Sequence, residues 1–150
     1  MIFTSSEDMS FELRVIGYQF PAEQIADYDS NWLNIRIDVR HSLGHWSRTD
    51  PALLTYEVQR LAEWFIALAA GDRAQTQRSF LEPNLSFELV GDDTEKLRIS
   101  FRLEFSPPWT QGGHGEERPY VEFPLGGINL EAAAASLLEE LSRFPQRASR

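Results

Sequence analysis

His41 and His45 stand four residues apart, the spacing at which two imidazoles on one helical face could grip a metal ion. The intervening Ser42, Leu43 and Gly44 read instead as the turn of a strand–turn–strand, which leaves two loop or sheet histidines and no zinc site. His114 sits among Gly112, Gly113 and Gly115 without a partner to share a ligand or a proton. The adjacent carboxylates Asp92-Asp93, Glu116-Glu117 and Glu139-Glu140 are no better placed for acid–base work, because neighbours on a strand or helix point in different directions. The chain has no Cys, which removes thiol nucleophiles, disulfides and Cys-ligated zinc or iron–sulfur centres. A nucleophile elbow, a phosphate loop, a glycine-rich dinucleotide fingerprint and a His-Glu-x-x-His helix are all absent. The sequence therefore announces no enzyme, no metal and no cofactor.

Charge is more informative. The 150 residues carry 23 Asp+Glu against 14 Lys+Arg, a formal charge of −9. The first 31 residues hold six acids and one base, while the last ten hold three arginines and no acid, so residues 1–140 carry −12. Such a body repels nucleic-acid phosphates and anionic lipid headgroups and attracts a basic partner. The longest apolar run, Trp64 to Ala70, is seven residues, and the start of the chain lacks the pattern of a signal peptide. The expectation is a cytoplasmic chain of one domain that contacts neither nucleic acid nor membrane directly.

Aromatic residues beside these acids suggest how a partner would be met. Asp27, Tyr28 and Asp29 lead into Trp32 at the start of one strand, and Trp109 follows Ser106-Pro107-Pro108 at the end of another. Acids next to an aromatic side chain make an anchor for a cationic surface, with charge steering the encounter and the ring excluding water. The expected partner-binding residues are thus Asp27, Asp29, Trp32, Trp109, Glu116 and Glu117. The competing reading is that a strand-end tryptophan packs as a lid over the edge of the core, and exposure decides between the two.

The elements that position these residues follow from periodicity. Leu33, Ile35, Ile37 and Val39 alternate with polar residues, as do Leu97, Ile99, Phe101, Leu103 and Phe105, and Leu85, Phe87 and Leu89. The turn-compatible Gly91 to Thr94 makes the last two segments an antiparallel hairpin. Phe11, Leu13 and Val15 alternate and then slip phase across Gly17, as at a β-bulge. Tyr120 to Phe123 is a shorter strand candidate, and Leu43 to Ser47 and Gln77 to Leu81 are weaker ones. Helical spacing appears in Leu54, Val58, Leu61, Phe65 and Leu68, with Asp50-Pro51 or Thr55 as the start and Gly71 as the stop. It recurs in Leu130, Ala134, Leu137, Leu141 and Phe144, with Asn129 as cap and Pro145 as terminator. The fold class is α+β: a largely antiparallel sheet of about six or seven strands with two helices packed on one face.

The strings Tyr28 to Leu33, Trp46 with Thr49 to Thr55, Phe80 to Phe87, and Phe101 to Trp109, together with the closing helix through Phe144-Pro145, resemble the WapI family of bacterial immunity proteins over nearly the whole chain. That resemblance implies a cytoplasmic, non-enzymatic protein encoded beside a contact-dependent toxin, often a nuclease, which it neutralises by binding. It brings no established binding residues. The leading expectation is an immunity protein that binds a basic cognate toxin domain through an acidic surface. The alternative is a small-ligand-binding or scaffold module, which a deep apolar pocket with a few converging polar groups would favour.

Overall fold

The computed structural model describes residues 1–21, 27–92, 95–110 and 118–147. Alternation over residues 33–39 has the consequence a period of two must have: Leu33, Ile35, Ile37 and Val39 are fully buried on one side of strand β3 (Trp32–His41), while the residues between them are only partly covered. Antiparallel to β3 runs β2 (Ser10–Tyr18), whose pairing passes from Val15 opposite Ile35 to Gly17 opposite Asn34 and skips Ile16, so the phase slip is a bulge. On the outer side of β2 lies β1 (Ile2–Thr4), and on the other side of β3 lies β4 (Gly44–Leu54), giving a first sheet in the order β1-β2-β3-β4.

A second antiparallel sheet contains β5 (Gln77–Arg78), β6 (Leu85–Val90), β7 (Lys96–Phe101) and β8 (Tyr120–Pro124), paired in chain order. The β6–β7 pairing is the hairpin expected from the sequence. Among the described residues the fold is α+β with two helices and antiparallel pairing throughout, and the eight strands form two sheets of four. The division falls where a helix leaves the ladder after β4, so the next strand starts a new sheet.

Helix α1 (Thr55–Ala69) begins later than Asp50-Pro51 suggests. Residues 50–54 stay in β4: Asp50 pairs with Ile35, Pro51 with Asn34 and Leu53 with Leu33, and the pairing shifts register across Ala52. Burying Ala52, Leu53 and Leu54 against the ladder outweighs the local capping tendency of Asp50. Proline is tolerated there because β4 is an edge strand with a bulge. The start of α1 is capped by Glu57, whose Oε1 accepts from the backbone N–H of Leu54 at 3.0 Å. Helix α2 (Leu130–Arg143) starts as its sequence indicates, with Asn129 Oδ1 accepting from Ala132 N–H at 2.9 Å.

The two helices pack on each other, and α2 is tied to β2 by a bond from Val15 N–H to Glu140 Oε2 at 3.2 Å. Both sheets and both helices contribute to one buried apolar cluster. Phe87 of β6 is its junction, meeting Phe11 of β2 edge-on at 6.1 Å, Phe65 of α1 at 5.8 Å and Phe80 at 6.2 Å between ring centroids. Burying one such ring contributes about 1.5–3 kcal/mol, and each edge-to-face pair adds about 0.5–1.5 kcal/mol. Among the described residues no helix is long and apolar enough to cross a membrane.

Candidate functional site

The histidines do not converge. His41 ends β3, where its Nδ1 accepts from the backbone N–H of Leu43 at 3.1 Å and so stabilises the turn, and exposed His45 pairs in the ladder with Arg40. His114 lies outside the described residues. Among the described residues no group of three His, Asp or Glu side chains is placed to hold a metal ion.

Carboxylates converge instead at the end of the molecule where α1 begins. Asp27 caps a 3₁₀ turn over Tyr28–Asn31: its Oδ1 accepts from Ser30 N–H at 3.0 Å, and Ser30 Oγ accepts from Asp27 N–H at 3.2 Å. Asp29 is exposed in the same turn. Buried Asn31 accepts from Thr55 Oγ at 3.1 Å, which fixes the turn against the first residue of α1. Tyr28 and Tyr56 share a hydrogen bond between their hydroxyls, and the Arg60 guanidinium lies 5.1 Å from the Tyr56 ring centre. Trp32 is half-buried opposite Leu54.

Four carboxylates that local sequence reading missed lie around the junction of β4 with α1. Buried Asn84 donates through one amide nitrogen to Asp50 Oδ2 at 2.9 Å and to Glu104 Oε2 at 3.2 Å, which brings together an acid of β4 and one of the 3₁₀ turn Leu103–Phe105, with no cation among the described residues between them. Burial, and next the nearby Glu104, pushes the Asp50 carboxyl above its ordinary range, although its bond from Asn84 pulls the other way. Glu57 is buried and is raised mainly by that burial, against the pull of backbone bonds from Leu54 and from Leu81 N–H at 2.9 Å. Glu82 is exposed and close enough to act on both Asp50 and Glu57.

Around these acids are exposed apolar side chains, Leu81 at 63 % and Leu103 at 50 %. Leu103 also has a φ of 53°, a left-handed backbone that a branched residue rarely adopts and that marks stored strain. Acids flanked by exposed leucines and tyrosines can meet a basic, partly apolar protein surface. The local signals that would have revealed the cluster were weak, because Asp50, Glu82 and Glu104 come from three segments joined only by tertiary packing. Those segments are among the strings that carry the family resemblance.

Trp109 lies elsewhere. Its ring packs edge-on against buried Trp46 at 5.3 Å, and Trp46 Nε1 donates to the Phe105 carbonyl at 3.0 Å. Trp46 pairs with Val39, seven residues along β3 from Trp32, so these two tryptophans stand about 23 Å apart along the ladder. Asp27, Asp29 and Trp32 are thus brought together, but Trp109 is not among them. Glu116 and Glu117 lie outside the described residues. Trp109 is 40 % exposed and borders an open groove of about 920 Å³, walled by Arg78, Arg98 and Tyr120.

No curated protein and no solved structure matches the chain. A protein-family comparison does: residues 1–145 match the immunity protein WapI-like family. Members of that family act as immunity proteins against a toxin, and with nearly its whole length matched, this chain belongs to the immunity protein WapI-like family.

Proposed function

We propose that this chain neutralises a nuclease toxin by seating its acidic end on the basic surface that receives the nucleic acid. The observation that carries this reading is the pair Asp50 and Glu104, joined by one neutral amide and flanked by Glu82, with no cation bridging them among the described residues. Their charge is left for a partner, and exposed Leu81, Leu103 and Tyr28 supply apolar contact around it. Asp27, Asp29 and Trp32 form the adjoining rim. The −12 carried by residues 1–140 accelerates encounter with a basic domain. The protein acts by obstruction in the cytoplasm, where its toxin would find nucleic acid, and performs no reaction of its own.

Co-expression with the cognate toxin domain tests this directly. The double variant Glu82→Lys, Glu104→Lys is expected to fold, because Asn84 keeps Asp50 as its partner, and to lose protection of the host cell. Full protection by that folded variant, together with wild-type affinity for the toxin domain, would reject the acidic end as the contact.

A further inference from the structure

On an acidic chain, the described walls of the groove beside Trp109 carry more guanidiniums than carboxylates. Among its described walls three guanidiniums, those of Arg78, Arg98 and Arg118, are set against one carboxylate, Glu88. Arg98 is partly committed, with Nη2 at 3.3 Å from Glu122, Nη1 at 3.8 Å from Glu88 and its guanidinium 4.2 Å from the Tyr120 ring centre. Arg78 and Arg118 have no carboxylate within ion-pair reach among the described residues.

The Nε atoms of Arg78 and Arg98 are buried without a hydrogen-bond partner; Ser106 Oγ is the one other such side-chain atom among the described residues. Two arginines elsewhere in the molecule hold a carboxylate through Nε and Nη2 together. Arg36 grips Asp38 this way at 3.0 and 3.2 Å, and Arg73 grips Glu95 at 2.7 and 3.0 Å. Among the described residues Arg78 has neither donor engaged, and Arg98 lacks the Nε half of the same fork. A buried N–H without an acceptor costs free energy, and a turn of the guanidinium toward the groove would let an arriving oxyanion relieve it. Half-exposed Trp109 supplies a flat apolar wall, and Ser86 and Ser100 add hydroxyls. The volume, about 920 Å³, falls within the range of small-ligand sites.

We propose that this groove binds a small organic oxyanion, a phosphate or carboxylate carried on an aromatic ring, with the anion between Arg78 and Arg98 and the ring against Trp109. The site is independent of the toxin-facing end. Titration of the full chain with phenyl phosphate and, separately, with benzoate, followed by amide chemical shifts, tests it; inorganic phosphate and phenol probe the charge and the ring alone.

The expected result is saturable binding of a ring-bearing anion, with shifts at residues 77–79, 98–100 and 109, and no binding of phenol. Tighter binding of phenyl phosphate would identify the phosphate source, and tighter binding of benzoate the carboxylate source. Arg78→Gln should weaken binding about tenfold, as loss of one charged fork requires. Trp109→Ala should weaken the ring-bearing anions and leave inorganic phosphate unaffected. Should Arg78→Gln unfold, Arg118→Gln provides the same loss of charge at an exposed position. Failure of both ring-bearing anions to saturate at millimolar concentration, or wild-type affinity in a folded arginine variant, would overturn the proposal.

Discussion

Trp32 and the Trp46–Trp109 pair stand toward opposite ends of strand β3, and their surroundings are opposite in charge. Around the junction of β4 with α1, carboxylates accept from neutral donors: Asn84 serves Asp50 and Glu104, and backbone N–H groups serve Glu57. Their polar needs are met but their charge is not cancelled. At the Trp109 end, guanidiniums keep their charge and also leave N–H donors unmatched. The first arrangement is stable alone and suits a charged protein surface, which need only approach. The second leaves a geometric deficit that only an acceptor of the right shape removes. A net charge of −9 describes neither end.

Breaking the core that joins the two ends has the largest expected effect. Phe87→Ala removes a ring that touches β2, α1 and Phe80, and should cost about 3–5 kcal/mol in chemical denaturation. One unfolding transition, shifted as a whole, is expected; two separate transitions would mean the ends rest on different cores. Gly44→Ala acts on one end only. A Cβ there would sit 2.8 Å from the Trp109 ring, which must move, at a cost of about 1–3 kcal/mol. Binding of ring-bearing anions should weaken while toxin protection stays at the wild-type level.

A smaller effect, dependent on pH, belongs to the acidic end. Because the folded state raises the Asp50 pKa, its contribution to stability is complete below the ordinary value of 3.8 and is lost as pH rises through the folded value. Asp50→Asn should therefore be slightly more stable than the wild type at pH 7, the margin kept small because the site is partly solvated. The advantage should vanish below the ordinary aspartate range. A pH-independent difference would assign the effect to something other than that carboxyl. The smallest effect is a control: Arg143→Ala removes the exposed pair with Glu139 at 3.1 Å, should cost about 0.3 kcal/mol, and should leave both kinds of binding unaffected.

The regular elements were legible because one face of each is buried and its period is uninterrupted. Residues 33–39, the β6–β7 hairpin and α2 with its Asn129 cap show this most clearly. Asp50-Pro51 misled because a good cap followed by proline is a local signal, whereas the buried run Ala52, Leu53 and Leu54 holds those residues in the ladder. Alternation reports which side of a strand is covered and not which strand lies beside it, so the division into two sheets was not readable. Of the residues proposed for the contact, Asp27, Asp29 and Trp32 group together in the sequence itself because they are neighbours in the chain. Asp50, Glu82 and Glu104 meet only through Asn84 and the packing of three distant segments, and buried Glu57 resembles any other acid in a first helical turn.

The measurement that bears most directly on the whole account is amide hydrogen exchange of the chain alone and bound to its cognate toxin domain. Slower exchange over residues 81–84 and 103–105, with residues 77–79 and 98–100 unchanged, is the predicted footprint. Protection confined to the arginine groove, with the acidic end exchanging as in the free protein, would contradict it.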